Sequence, residues 1–120
     1  MPTILIIDDN PEDQNHMAEI LKSEGYEIIA AEMGPEGIRL CREKHPDLIF
    51  LDLVMPDMNG IEALREFKKE FPEIPVIMCS AAGLEQVVAL ALRVGADGYI
   101  VKPYDRETVI SNLKGHIRAA

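Results

Sequence analysis

Residues 3–10 read TILIIDDN, a short apolar run that stops abruptly at two adjacent aspartates. Continuous hydrophobicity without period-two alternation suits a strand covered on both faces. The pattern returns in EIIAA (27–31), DLIFL (47–51), PVIMCS (75–80) and GYIV (98–101). Between these runs the apolar residues fall at helical spacing, over about 11–23, 35–44, 59–70, 84–94 and 105–118. Gly25, Pro46, Pro72 with Pro75, and Gly95 follow the first four of these segments, where helix stops are needed. Five β–α units in strict order predict a doubly wound five-stranded parallel sheet, with helices on both faces and right-handed crossovers. No linker, repeat or low-complexity stretch interrupts the pattern, so residues 1–120 read as one domain.

At 120 residues and 48% hydrophobic, the chain can bury a core of its own without disulfides. Twelve Lys and Arg against 21 Asp and Glu give a net charge of -9. That balance disfavours direct nucleic-acid binding and an anionic membrane, and favours cations and basic partners. Cys41 and Cys79 lie far apart, outside any Cys-x-x-Cys spacing, and read as free thiols of a reducing cytosol. No charged leader precedes the first strand, and no apolar stretch approaches the ~20 residues that span a bilayer. A soluble cytoplasmic protein is expected.

In a doubly wound parallel sheet, ligands bind beyond the carboxyl ends of the strands, at the switch point in strand order. The residues just past the strands are Asp8 and Asp9, Asp52, Ser80 and Lys102. The second strand offers only Glu32 there, as expected of a strand at the sheet edge. Asp8 and Asp9 repel each other unless a cation lies between them. Mg²⁺ prefers oxygen ligands and retains water, so one or two carboxylates and a phosphate suffice to bind it. Each residue also has an ordinary reading. Asp9 or Asn10 can cap the helix that starts near Pro11. Asp52 can be a turn aspartate instead of a nucleophile toward phosphorus. Lys102 can be a solvated surface residue instead of a neutraliser of phosphoryl oxygens, and Ser80 can satisfy backbone groups in a turn. Their joint arrival at one rim is the stronger signal.

With ILIIDDN, LDLVMPDMNGIEAL, VIMCSA and GADGYIVKPY in this order, essentially the whole chain resembles the receiver domain of two-component response regulators. The resemblance implies a flavodoxin-like, CheY-like (βα)5 fold with strand order 2-1-3-4-5. It implies Asp52 as phosphoacceptor, and Mg²⁺ held by Asp9, Asp52 and the backbone carbonyl of Val54, with Asp8 acting partly through water. Lys102 would pair with the phosphoryl group, Ser80 would move to bind it, and Tyr99 would change rotamer with Ser80. Lys102-Pro103 matches a peptide bond that is cis in the family. The implied donor is a phosphohistidine on a sensor histidine kinase or phosphotransfer protein. The output would reach a downstream protein or a C-terminal output domain through the fourth helix, fifth strand and fifth helix. Such a protein catalyses its own aspartyl phosphorylation and dephosphorylation without being a turnover enzyme.

The fourth helix, LEQVVALALRVG, supports that output face. Leu84, Val88, Ala91 and Leu92 fall on one side, and Val87, Leu90 and Val94 extend the apolar arc to about 200°, wider than core packing requires. Deep packing through Ala89 and Ala91, with nothing docked there, is an equal alternative. Tyr99 can equally be an ordinary half-buried strand tyrosine, and Met55 and Met58 read as turn packing. His16, His45 and His116 are isolated and read as solvated, and Cys79 as a buried inert thiol. A flavin or nucleotide binder would cradle phosphate with a Gly-rich loop, whereas the first strand here ends in DDNPED. An aspartyl phosphatase would need a second acid two residues beyond Asp52 or a base for water, but positions 54 and 82 are Val and Ala. A slowly hydrolysing phosphoaspartate is therefore expected. A receiver-like adaptor that binds partners without phosphorylation is the remaining alternative.

Overall fold

The computed structural model describes residues 2–53, 59–81 and 85–117. Strands β1 (Thr3–Ile7), β2 (Glu27–Ala31), β3 (Leu48–Asp52), β4 (Val76–Ala81) and β5 (Gly98–Lys102) alternate with helices α1 (Pro11–Ser23), α2 (Gly34–Lys44), α3 (Gly60–Glu70), α4 (Glu85–Val94) and α5 (Arg106–His116). All the strand pairings are parallel, and the order is β2-β1-β3-β4-β5. The expected doubly wound sheet is thus present, with element ends within one or two residues of those read from the sequence.

The apolar runs divide between two cores according to the strand pleat, because successive side chains point to opposite faces. Leu5, Ile7, Ile49, Leu51 and Met78 pack against Ile38, Leu64, Phe67 and Ala91 of α2, α3 and α4. Ile4, Ile6, Phe50, Ile77 and Cys79 pack against Met17, Leu21, Val109 and Leu113 of α1 and α5. Cover on both faces therefore holds for β1, β3 and β4. It does not hold for the edge strands: β2 is only partly buried, and in β5 Tyr99 and Val101 are 45% and 38% exposed. α4 packs on α3 and β4, leaving one face of β5 in solvent.

Local chemistry fixes the turns that set the rim. Asn10 caps α1, accepting from the backbone N–H of Glu12 at 2.9 Å and of Asp13 at 3.2 Å. The capping alternative thus falls to Asn10, and neither Asp8 nor Asp9 is consumed by it. Asn59 caps α3 through the Glu62 N–H, and Asp105 caps α5 through the Thr108 N–H. At Gly25, beyond α1, φ is +90°, a conformation that costs glycine little. Gly60 opens α3 against the end of β3, where a Cβ would lie 2.6 Å from both Cα and O of Leu53. Only a residue without a side chain allows that approach.

Candidate functional site

The parallel register brings the carboxyl ends of β1, β3, β4 and β5 to one rim. Asp8, Asp9 and Asp52 each offer a carboxylate oxygen within 4.8 Å of the others, close enough to share one metal ion. Asp8 and Asp52 are buried and Asp9 is exposed. This is the convergence the strand ends predict.

Lys102 enters the cluster from β5. Its Nζ donates to Asp8 Oδ2 at 2.9 Å and lies 3.6 Å from Asp52 Oδ2. Asp8 Oδ1 accepts from the Asn10 N–H at 3.0 Å, so both oxygens of Asp8 are engaged. Burial works against the charge on Lys102, but its hydrogen bonds to Asp8 and Asp13 and the neighbouring Asp52 charge outweigh that cost and hold its pKa above the ordinary lysine value. The surface-lysine reading is corrected: the ammonium is an internal counter-ion, on a side chain only 19% exposed.

Asp13 is the group sequence reading missed. Its Oδ2 accepts from Lys102 Nζ at 2.9 Å, as close as Asp8 does. Its carbonyl accepts from the Tyr104 hydroxyl at 3.3 Å. Tyr104 is buried, and burial raises its pKa, so the phenol keeps the proton it donates. The ring of His16 stacks on Tyr104 with centroids 5.2 Å apart and planes 6° from parallel. His16 is therefore exposed but not isolated. The only sequence signal for this layer was the crowding of acids in DDNPED, where Asp13 reads as an ordinary first-turn helix acid.

Ser80 lies at the end of β4, 2% exposed, and its hydroxyl finds no hydrogen-bond partner among the described residues. The backbone-satisfying role proposed for it is not what the structure contains. A cavity of about 40 Å³ adjoins it, bounded by Glu85, Val88, Tyr99 and Val101. Tyr99 is 45% exposed, in keeping with the half-buried strand tyrosine of the ordinary reading. On α4, Val88 and Ala91 are buried while Val87, Leu90 and Leu92 are exposed. Leu92, on the same side of the helix by angle as Val88 and Ala91, is thus exposed, and the apolar arc extends onto the solvent face. Cys79 is buried and its thiol pKa raised by that burial, as the inert-thiol reading requires. The Lys102-Pro103 peptide is cis. Val54, Met55, Met58 and Leu84 lie outside the described residues.

The response regulator receiver domain family matches residues 4–114. The chain belongs to that family. This receiver domain is 36% identical over 115 residues to protein PilH of Pseudomonas aeruginosa, covering 94% of this chain and 95% of that protein. To the chemotaxis protein CheY of Bacillus subtilis it is 39% identical over 111 residues, covering 92% of each. The crystal structure of the receiver domain of NtrX from Brucella abortus matches it with a TM-score of 0.93 at 30% identity, over 98% of this chain and 99% of that one. The CheY-like strand order is thus both observed in the sheet and shared with solved receivers. No helix among the described residues is long and apolar enough to cross a membrane.

Proposed function

We propose that this receiver accepts a phosphoryl group on Asp52 from a phosphohistidine, carried by a sensor histidine kinase or a phosphotransfer protein, in a Mg²⁺-dependent step. The observation that carries the reading is the meeting of Asp8, Asp9 and Asp52 around one point, with a single ammonium beside them. Three carboxylates and one lysine leave the pocket short of positive charge, and its donors are all hard oxygens, which suits Mg²⁺. Asp9 and Asp52 would hold the ion directly. Asp8, whose oxygens already accept from Asn10 and Lys102, would act through water, and the Val54 carbonyl would complete the protein ligands. When bound, Mg²⁺ would neutralise charge on the phosphoryl oxygens.

The remaining work falls to side chains. A carboxylate oxygen of Asp52 forms a bond to phosphorus as the donor's P–N bond breaks, its electron pair staying on the imidazole nitrogen. Lys102 moves onto the phosphoryl oxygens and offsets their charge. The buried Ser80 hydroxyl, lacking an acceptor among the described residues, gains one in a phosphoryl oxygen. The cavity between Ser80 and Tyr99 gives the exposed ring space to shift. With Val101 beside Tyr99 on β5, and Glu85 and Val88 of α4 across the cavity, these residues make the α4–β5–α5 face the surface offered to a downstream protein or output domain, while Val87 and Leu90 line the groove toward α3. The chain promotes its own phosphorylation and slow dephosphorylation and is not a turnover enzyme. Incubation with radiolabelled acetyl phosphate and Mg²⁺ should label the protein, and Asp52→Asn should abolish the label. Retained labelling in that variant refutes the assignment.

A further inference from the structure

We propose that Asp13 is a positioning residue for Lys102: its carboxylate holds the ammonium at the outer edge of the acid cluster, and so sets how readily Asp52 is phosphorylated. The proposal rests on Asp52 being the phosphoacceptor. An ammonium has three hydrogens. Asp8 and Asp13 take hydrogen bonds at 2.9 Å each, whereas Asp52 is 0.7 Å farther away, at 3.6 Å. The lysine is thus drawn toward the two aspartates of the β1–α1 side and away from the one on β3.

Asp13 is a fixed anchor. Its N–H is tied to the Asn10 cap at 3.2 Å and its carbonyl to the Tyr104 hydroxyl at 3.3 Å. These bonds fix the backbone of Asp13, so its carboxylate can follow the ammonium inward only as far as rotation about its two side-chain bonds allows. Lys102 and Tyr104 flank Pro103, so both contacts from the start of the β5–α5 connection end on this single residue of α1. Asp13 also differs from its neighbours in exposure, with 37% of its side chain accessible against 6% for Asp8 and 10% for Asp52. The Lys102–Asp13 pair is therefore the weaker of the two short contacts, the one that yields when a phosphoryl group takes the charge at Asp52 from -1 to about -2 and adds strong acceptor oxygens. Until then it stands against transfer, because Lys102 must leave Asp13 to reach the incoming oxygens.

A partly exposed ion pair of this kind corresponds to about a two- to fivefold change in an equilibrium or rate. The test measures phosphoprotein formation from acetyl phosphate at saturating Mg²⁺, acetate leaving as Asp52 bonds to phosphorus, in the wild type, Asp13→Asn, Asp13→Ser and Asp13→Glu. Half-saturation by beryllium fluoride, a phosphoryl mimic, gives an equilibrium readout. Asp13→Asn and Asp13→Ser are expected to label about two- to fivefold faster and to bind beryllium fluoride correspondingly more tightly, with Asp13→Glu returning toward wild type. In a Lys102→Gln background the Asp13 substitutions should change neither quantity. Unchanged or slower labelling in both neutral variants, each melting cooperatively, overturns the proposal. So does an equal gain in the Lys102→Gln background, since the effect would then be general repulsion of an anionic donor. Failure of the underlying reading is a separate result, namely label retained by Asp52→Asn.

Discussion

Replacing Lys102 with methionine keeps an unbranched stem of similar length and removes the charge on which the acid cluster depends. Lys102 is 19% exposed and its contacts Asp8 and Asp52 are 6% and 10% exposed, so the variant strands two nearly buried carboxylates beside each other. Removing one partner of a fully buried ion pair costs about 3–5 kcal/mol. Here Asp9 and Asp13 open the cluster to water, and a stranded carboxyl can take up a proton, which brings the expected loss to about 2 kcal/mol. With an unfolding entropy of about 2.1 cal/mol/K per residue, a chain of this length should melt roughly 8 °C lower. On the proposed reading of the site, Mg²⁺ would replace the missing charge. At a hundred times its dissociation constant it adds about 2.7 kcal/mol, and in Lys102→Met no ammonium competes for the same oxygens. The Mg²⁺-induced rise should therefore exceed that of the wild type, and Asp9→Ala should diminish it. Differential scanning calorimetry at low salt, in EDTA and across a Mg²⁺ series, reads both quantities. A variant that melts within about 2 °C of the wild type in EDTA, or that gains less from Mg²⁺ than the wild type does, refutes the counter-ion account.

Gly60→Ala should cost about 1–3 kcal/mol in urea unfolding, because the new methyl meets Leu53 backbone that cannot rotate away; an unchanged midpoint contradicts the close packing of α3 on the end of β3. Ser80→Ala should leave stability unchanged or raise it by up to about 1 kcal/mol, since it removes a buried hydroxyl that makes no hydrogen bond among the described residues. A clear loss would mean that the hydroxyl is satisfied in the resting protein. Cys41, pushed up to about 12 by burial, and Cys79, also raised by burial, should resist Ellman's reagent at pH 8 until the chain is unfolded. Because folding holds both thiols neutral, their contribution to stability is complete below pH ~8.5 and is lost as pH rises above it. Rapid native-state reaction would count against their burial.

How much of the site was readable follows from where each signal resides. Asp8, Asp9, Asp52, Ser80 and Lys102 were found because each sits one or two steps past an apolar run, and a parallel sheet puts all such positions at one edge. Asp13 was missed because its sequence context is that of an ordinary first-turn acid. Nothing local distinguishes a helix acid that faces solvent from one that meets a lysine 89 residues away. The covered part of the α4 arc was unreadable for a related reason: angular position gives the arc, but the lie of α4 over β4 decides that Val88 and Ala91 are buried and Leu92 exposed.

By itself, the sequence determined the order and extent of the elements, because hydrophobic period, helix caps and turn residues act over a few positions. It also determined which residue types stand at the strand ends, and hence the hard-oxygen character of the site. Only the tertiary structure decided that Asn10 and not Asp9 caps α1, and that Lys102 is shared between Asp8 and Asp13. It likewise left Ser80 buried with no partner among the described residues, and one face of β5 open to solvent. Those outcomes depend on the register of parallel strands and the angles at which helices cross them, which arise from packing between segments far apart in the chain.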